Sequence, residues 1–144
     1  MKPALRKIID WAAILLLAVA IGYAGVSKAL DPSEFQKAID RYNLVPYPVT
    51  AAAALYLPWL EICLAAALLL PLAAARRASS VVVLGLMLVF TTAYVSTLAR
   101  GLNIECGCFG KVSQGWPAWA ILLRDGVLLA AAARTFWNAR APRN

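Results

Sequence analysis

The sequence has 144 residues, of which 62% are hydrophobic, a formal net charge of +7 and no histidine. With a mean hydropathy of +0.72, a chain of this length has more apolar surface than one soluble core can bury, which predicts a membrane protein. The basic residues stand at the ends of apolar runs and form no continuous basic face, so they indicate contact with lipid headgroups and not with nucleic acid. Without histidine, the commonest general base and metal ligand, any chemistry depends on three cysteines and seven acids.

Four apolar runs divide the chain, and each is long enough to cross a bilayer, which takes about 20 mostly apolar residues. The sequence therefore predicts an all-α integral membrane protein, a single domain folded as a four-helix bundle. Pro71, Arg76 and Arg77 mark the end of the second run. The predicted spans are residues 8–29, 49–72, 79–98 and 117–136, with a loop over residues 101–116 before the last of them.

A short helix is predicted between the first two spans. Asp31 can cap its start, Pro32 suits the first helical position, and Glu34 lies three residues after the cap. Apolar side chains then recur at helical spacing, so one face of this helix is expected to lie toward lipid or toward the bundle. That face consists of Phe35, Ala38, Ile39 and Tyr42. We expect the helix to lie in the membrane interface.

The distribution of Lys and Arg predicts the direction of the spans. The terminal tails, Arg134 near the end of the last span, and Arg76 and Arg77 together hold eight basic residues, whereas five lie on the other side of the bundle. Those five are Lys28, Lys37, Arg41, Arg100 and Lys111. Because the cytoplasmic side carries the excess of basic residues, both termini are expected in the cytoplasm. The short helix and the loop of residues 101–116 then face the outside of a bacterial inner membrane, where thiols are kept oxidised.

The loop contains Cys106 and Cys108 with only Gly107 between them. An extended glycine would place the two Cα atoms about 6 to 7 Å apart, at the upper limit for a disulfide, and glycine permits the dihedral angles that shorten this distance. A ring this small constrains the unfolded chain very little, so a structural staple explains it poorly. Strained disulfides are readily reduced and tend to be catalytic or regulatory. The spacing therefore predicts a redox-active pair.

Other roles for the two cysteines stay open at this point. Two thiolates can hold a soft ion such as Cu(I), but no histidine or second cysteine pair lies nearby to complete a tetrahedral zinc site, and we assign no metal ligands. Purely structural cysteines are a further alternative. The main alternative function is a non-enzymatic membrane assembly factor or a soft-metal-binding protein.

Glu61, Arg124 and Asp125 lie inside predicted spans, where ionisable residues are costly and are functional candidates by default. At 1.5 Å per residue, Glu61 lies roughly 18 Å into the second span, and the other two lie about 10 Å into the fourth. We expect the long Arg124 side chain to reach toward Glu61. Two roles are open for these three residues. They act either as a proton relay or contact for a quinone carbonyl, or as a buried ion pair that fixes helix register.

Several other residues are expected to have structural roles. Lys28 and Arg100, near span ends, are predicted to extend their charges to the membrane interface. Cys63 is interpreted as a small buried hydrophobic residue. Gly22 and Gly25 belong to a stripe of small residues that lets helices approach closely.

Five short motifs stand in a distinctive order along the chain. They are DPSEF shortly after Lys28, PWLE in the second span, ARG before the loop, CGCFG within it, and LLRD in the fourth span. In this combination the chain resembles the MauE family of four-span membrane proteins, which is grouped with DoxX-type proteins. The resemblance covers residues 22–129 and implies a part in maturing methylamine dehydrogenase, whose small subunit is rich in disulfides. It therefore implies thiol oxidation or isomerisation outside the cytoplasm.

The arrangement is also similar to that of DsbB and vitamin K epoxide reductase, four-helix proteins that pass electrons from thiols to quinone, although they use Cys-x-x-Cys. This likeness implies a membrane quinone as cofactor, with Glu61, Arg124 and Trp116 as candidate contacts. Since the loop has no second cysteine pair, the expected partners besides the lipid bilayer are a periplasmic client protein or a thioredoxin-like protein. The predicted catalytic residues are Cys106, Cys108, Glu61, Arg124 and Asp125.

Overall fold

The computed structural model describes residues 2–102, 104, 109 and 115–140. Within these ranges the chain is all-α, as predicted, with five helices and no strand. The helices are α1 (Pro3–Leu30), α2 (Pro32–Tyr42), α3 (Tyr47–Leu69), α4 (Ala73–Ala99) and α5 (Ala118–Arg140). Cys106 and Cys108, which carry the main functional prediction, lie outside the described residues.

Three of the described helices, α1, α3 and α4, are long and apolar enough to cross a membrane. Helix α5 is not among them, since its apolar sequence is interrupted by Arg124, Asp125 and Arg134. Large apolar side chains are exposed along the long helices, including Val19 and Tyr56, as expected for surfaces in contact with lipid and unusual for a soluble monomer. The protein is therefore a membrane protein with three candidate spans.

The long helices pack side by side, most extensively α1 along α3 and α4 along α5. Two contacts define the ends of the bundle: the Arg76 guanidinium lies 4.6 Å from the Trp11 ring, and Arg100 Nη2 donates to the Tyr42 carbonyl at 2.7 Å. The end with Tyr42 and Arg100 is termed the loop end, and the end with Trp11 and Arg76 the tail end. Between them, the core contains fully buried side chains from each long helix. Among these are Leu17, Leu68, Val83 and Ile121.

Helix α2 begins as the sequence predicts. The Asp31 carboxylate accepts a hydrogen bond from the Glu34 amide at 3.0 Å, and Pro32 is the first helical residue. The predicted apolar face turns toward the bundle, because Phe35 and Tyr42 are buried and α2 packs mainly on α3. This leaves the polar face of α2 on the outside of the molecule.

The start of α4 differs from the prediction. The third run was expected to begin at residue 79, after two arginines that mark a boundary, but the helix begins at Ala73 and contains both of them. Arg76 is buried: its Nε donates to the Leu68 carbonyl at the end of α3, and its guanidinium stacks on Trp11. These two contacts accommodate a basic residue in the first turn of the helix, although Arg76 Nη2 is buried without a hydrogen-bond partner.

Helix α1 ends well short of the loop end of α3. Gly25 abuts Pro58, because a Cβ added to the glycine would lie only 2.9 Å from the Pro58 carbonyl oxygen. From that level α3 continues for 11 residues to Tyr47, about 16 Å, whereas α1 continues for only five to Leu30, about 8 Å. Helix α2 follows directly and packs on this outer part of α3. Lys28, in the last turn of α1, is consequently buried at 2% exposure, although Leu30 at the very end of the helix is 81% exposed.

Candidate functional site

A buried ion pair joins α1 to α3. Lys28 Nζ lies 2.6 Å from Glu61 Oε1 and 2.8 Å from Oε2, so the ammonium donates to both carboxylate oxygens. Lys28 is only 2% exposed and Glu61 only 3%. A pair so deeply buried gains strong Coulomb attraction, but removal of either partner leaves an uncompensated charge.

Two aromatic rings enclose the Lys28 ammonium. Its Nζ lies 5.0 Å from the centre of the Phe35 ring on α2 and 5.1 Å from that of the Phe90 ring on α4. Both distances are within the range in which the ring quadrupole attracts a cation. Lys28 is therefore the point at which α1, α2, α3 and α4 meet.

The prediction that Lys28 extends to the membrane interface is wrong. Its position two residues from the end of α1 suggested an exposed side chain, but α1 stops below the loop end of α3, and Phe35 of α2 covers the Lys28 ammonium. The sequence does contain a signal that was missed: Glu61 needs a cation, and Lys28 is the basic residue nearest the end of the first span. Glu61 itself faces the bundle interior and meets a cation, as its intramembrane position required.

A second polar cluster lies on α5 next to α4. The Nε and Nη2 atoms of Arg124 donate to Asp125 Oδ1 at 2.9 and 2.7 Å, and Thr91 Oγ1 on α4 donates to Oδ2 at 3.3 Å. Asp125 is buried and Arg124 is partly exposed. The expected approach of Arg124 to Glu61 does not form an ion pair, because each of these residues is paired elsewhere.

Arg124 also contacts the loop that contains the cysteines. Its guanidinium carbon lies 4.2 Å from the centre of the Phe109 ring, and Phe109 is buried in the core. Phe109 follows Cys108 directly in the sequence. One described residue of the loop is thus held against the polar cluster of α5, and the sequence offered no signal for this contact beyond the aromatic residue in CGCFG.

An apolar cavity of about 140 Å³ lies between α2 and α4. One wall is the apolar face of α2, and the opposite wall is formed by Val89, Phe90 and Ala93 of α4. Leu44 and Val45, in the connection from α2 to α3, complete the lining. The two rings that enclose Lys28 are therefore also part of the cavity wall. Sequence reasoning did not predict this cavity, since it depends on how α2 lies against α4.

The remaining predicted residues take no part in either ion pair. Trp116 is exposed just before α5. Cys63 is a free cysteine on the exposed side of α3, so the prediction of a buried residue is wrong. Gly25 allows close packing of α1 on α3, as predicted.

The tail end holds a third polar cluster that the sequence analysis did not single out. Arg134 Nη2 lies 2.8 Å from Asp10 Oδ1, which also accepts from Asn138 Nδ2 at 2.7 Å. These groups tie α5 to α1 and are partly exposed. An acid within the first predicted span and an arginine within the fourth were the available signals.

No metal site is evident among the described residues, since none of them form a group of three or more His, Cys, Asp or Glu side chains suited to hold an ion. The family comparison covers far more of the chain. The family model for methylamine utilisation protein MauE matches residues 6–138, which include parts of all five helices and the CGC segment. The chain belongs to the MauE family.

Individual MauE proteins are similar over most of their length. The methylamine utilization protein MauE of Paracoccus denitrificans is 31% identical over 130 residues, which is 89% of this chain and 68% of the relative. That of Methylorubrum extorquens is 32% identical over 137 residues, or 94% of this chain and 70% of the relative. No solved structure matches the chain. The family and its name thus come from sequence relatives, and the geometry above is independent of them.

Proposed function

We propose that this protein is a membrane thiol-disulfide oxidoreductase that serves methylamine utilisation, with Cys106 and Cys108 as the exchanging pair. The observation that carries the proposal is the CGC sequence in the connection between α4 and α5, followed by the buried, Arg124-stacked Phe109. Membership of the MauE family supports the metabolic context. A redox pair at the membrane surface needs a fixed position. Phe109 follows Cys108 directly, so its contact with Arg124 of α5 supports such a position.

The proposal includes α5 as a fourth span. Its ionic residues do not prevent burial in a bilayer, because Arg124 is paired with Asp125 and Arg134 with Asp10. Contacts of α5 with Thr91 of α4 and with Asp10 of α1 extend along the bundle. With four spans, both termini lie on the same side of the membrane. The excess of basic residues in the tails supports the cytoplasmic side of a bacterial inner membrane for them, and hence the outside for the CGC loop.

The exchange itself is a balanced two-electron reaction. A client thiolate attacks one sulfur of the Cys106–Cys108 disulfide, which breaks that bond and forms a mixed disulfide with release of the other cysteine as thiolate. A second client thiol then displaces the bound cysteine. The client gains a disulfide, and the loop gains two thiols. The complete reverse sequence reduces a client disulfide and reoxidises the loop pair, whereas reversal to the mixed disulfide followed by attack of another client thiolate isomerises the client and returns the loop thiols unchanged. The client is a periplasmic protein rich in disulfides or a thioredoxin-like intermediary.

Repeated oxidation of clients requires an acceptor for two electrons and two protons. A membrane quinone would supply this capacity when bound, and it reaches the loop end through the bilayer. The polar groups predicted to contact it are dispersed: Glu61 is enclosed with Lys28, Arg124 lies against Phe109, and Trp116 is exposed. Within the proposal, Glu61 fixes helix register and Arg124 seats the loop.

Cysteine substitutions test the proposal. We expect Cys106→Ser and Cys108→Ser each to abolish disulfide formation in a reduced client. The variant that keeps the attacking thiol should accumulate a mixed disulfide when it is instead incubated with the oxidised client, because its remaining thiolate attacks the client disulfide and no second loop thiol resolves the product. The measurement is the client's thiol content after incubation with vesicles that contain the full chain, with trapped complexes identified by mass spectrometry. Cys63→Ser is the matched control, because this exposed cysteine lies on α3, away from the loop, and its substitution should leave exchange unchanged.

Two results would contradict the proposal. Client oxidation that depends on Cys63 and not on the loop would exclude the CGC pair. Two free loop thiols with bound copper in air-purified protein would favour the alternative of a soft-metal-binding assembly factor.

A further inference from the structure

The cavity between α2 and α4 has the size and lining of a site for one six-membered ring. Its volume is about 140 Å³, and an engineered apolar cavity of about 150 Å³ binds a single benzene molecule. Three aromatic side chains, Phe35, Tyr42 and Phe90, contribute to the wall. Aromatic walls favour a flat conjugated ring, through offset and edge-to-face contacts, over a saturated chain.

The mouth of the cavity faces the surroundings of the bundle and not its core. Val89 on α4 is 65% exposed and Leu44 is 51% exposed, whereas Phe35 at the other side of the lining is 5% exposed. Because α4 is a candidate span, an exposed apolar residue such as Val89 lies against hydrocarbon. A ligand that enters past it comes from the bilayer and must itself be apolar.

The ring wall is fixed before any ligand arrives. Phe35 and Phe90 each stand about 5 Å from the Lys28 ammonium, which Glu61 holds by two hydrogen bonds. Neither ring can turn away without losing its contact with the cation. A preformed wall avoids the loss of side-chain freedom that weakens binding at flexible sites.

We propose that this cavity binds the ring of a lipid-soluble compound that enters from the bilayer, of the benzoquinone class. The assignment rests on the proposed function for the redox role of the ring, but the site itself depends only on α2 and α4. The proposed quinone site is thus this cavity on the face formed by α2 and α4, and Glu61, Arg124 and Trp116 are no longer expected to contact the quinone. Lys28 and Glu61 then act as positioning residues behind two rings of the wall.

Cavity-filling substitutions test the assignment. Ala38→Leu on α2 and Ala93→Leu on α4 add volume from opposite walls, and Ala52→Leu adds the same group at an exposed position of α3. The probe is an azido-1,4-benzoquinone with a short alkyl tail, photolysed with the full chain in phospholipid nanodiscs. Labelled peptides are quantified by mass spectrometry, and thermal unfolding shows that each variant is folded.

We expect labelling in α2 or α4, and we expect a benzoquinone without the azide group to displace it. Both cavity variants should show at least about tenfold less labelling, whereas Ala52→Leu should leave the labelling unchanged. Equal labelling of all three variants would overturn the site. Displacement by a saturated fatty acid as effective as by the quinone would show an acyl-chain groove and overturn the ring. Labelling requires no cysteine, so its persistence in Cys106→Ser and Cys108→Ser separates failure of this site from failure of the exchange reaction.

Discussion

The Lys28–Glu61 and Arg124–Asp125 ion pairs differ in sequence separation, burial and contacts. Lys28 and Glu61 are 33 residues apart and sealed on all sides, whereas Arg124 and Asp125 are neighbours and Arg124 is partly exposed. The first pair connects two helices. The second cannot do so by itself, but it orients Asp125 toward Thr91 and Arg124 toward Phe109. The two charge pairs therefore have different tasks: Lys28–Glu61 joins two helices, and Arg124–Asp125 contacts the loop through Phe109.

Breaking the sealed pair should have the largest effect. Lys28→Met leaves the Glu61 carboxylate buried without its cation, and we expect a loss of about 3 to 5 kcal/mol in the free energy of unfolding. The double variant Lys28→Met/Glu61→Leu should recover most of this loss, because an apolar pair of similar volume needs no compensation. Reversible unfolding in mixed micelles measures all three proteins. If the double variant is less stable than the single one, the pair does not act as an architectural element.

Disruption of the close packing beside Lys28 and Glu61 should have the next largest effect. A Cβ at Gly25 would meet the Pro58 carbonyl and Ile62 Cγ1 at 2.9 Å and Glu61 Cβ at 3.0 Å, and the carbonyl belongs to a helix backbone that cannot shift locally. We expect Gly25→Ala to destabilise the protein by about 1 to 3 kcal/mol. Gly22→Ala is the control, since its nearest neighbour would be Ala65 Cβ at an acceptable 3.4 Å. Equal unfolding midpoints for the two variants would refute the close approach.

The partly exposed cluster at the tail end should matter least. Asp10→Asn removes the charge that pairs with Arg134 but keeps an oxygen that can accept hydrogen bonds. Because solvent and salt screen such a pair, the expected loss is below about 1 kcal/mol. Unfolding at low and high salt provides the measurement, and the loss should shrink as salt is added. A loss as large as that of Lys28→Met would mean that burial does not distinguish the two clusters.

Local signals in the sequence predicted the start of α2 and the inward position of Glu61. Asp31 and Pro32 specify the start of α2 within a few residues of chain, so the cap could be read directly. The inward position of Glu61 followed from the high cost of a carboxylate in hydrocarbon. The cap of α2 depends on residues at the start of one helix, and the inward position of Glu61 depends on one residue and the surrounding hydrocarbon.

Relations between elements were less accessible. The partner of Glu61 depends on α1 ending below α3, and the early start of α4 depends on Trp11 covering Arg76. Neither contact is encoded by periodicity or by the distance of a residue from a helix end. The cavity likewise arises only when α2 lies across α4, so its lining is spread over residues 35–45 and 89–93.

The position of Lys28 has a consequence for biogenesis. A chain made from its N-terminus presents this lysine to the membrane before Glu61 has been synthesised, and a lone cation is expelled from hydrocarbon. The first segment must therefore wait with its ammonium in water or among headgroups until the acidic partner emerges. If α1 and α3 insert together as one hairpin, Lys28 and Glu61 enter the bilayer as a pair. Helix α2 can then pack over this pair.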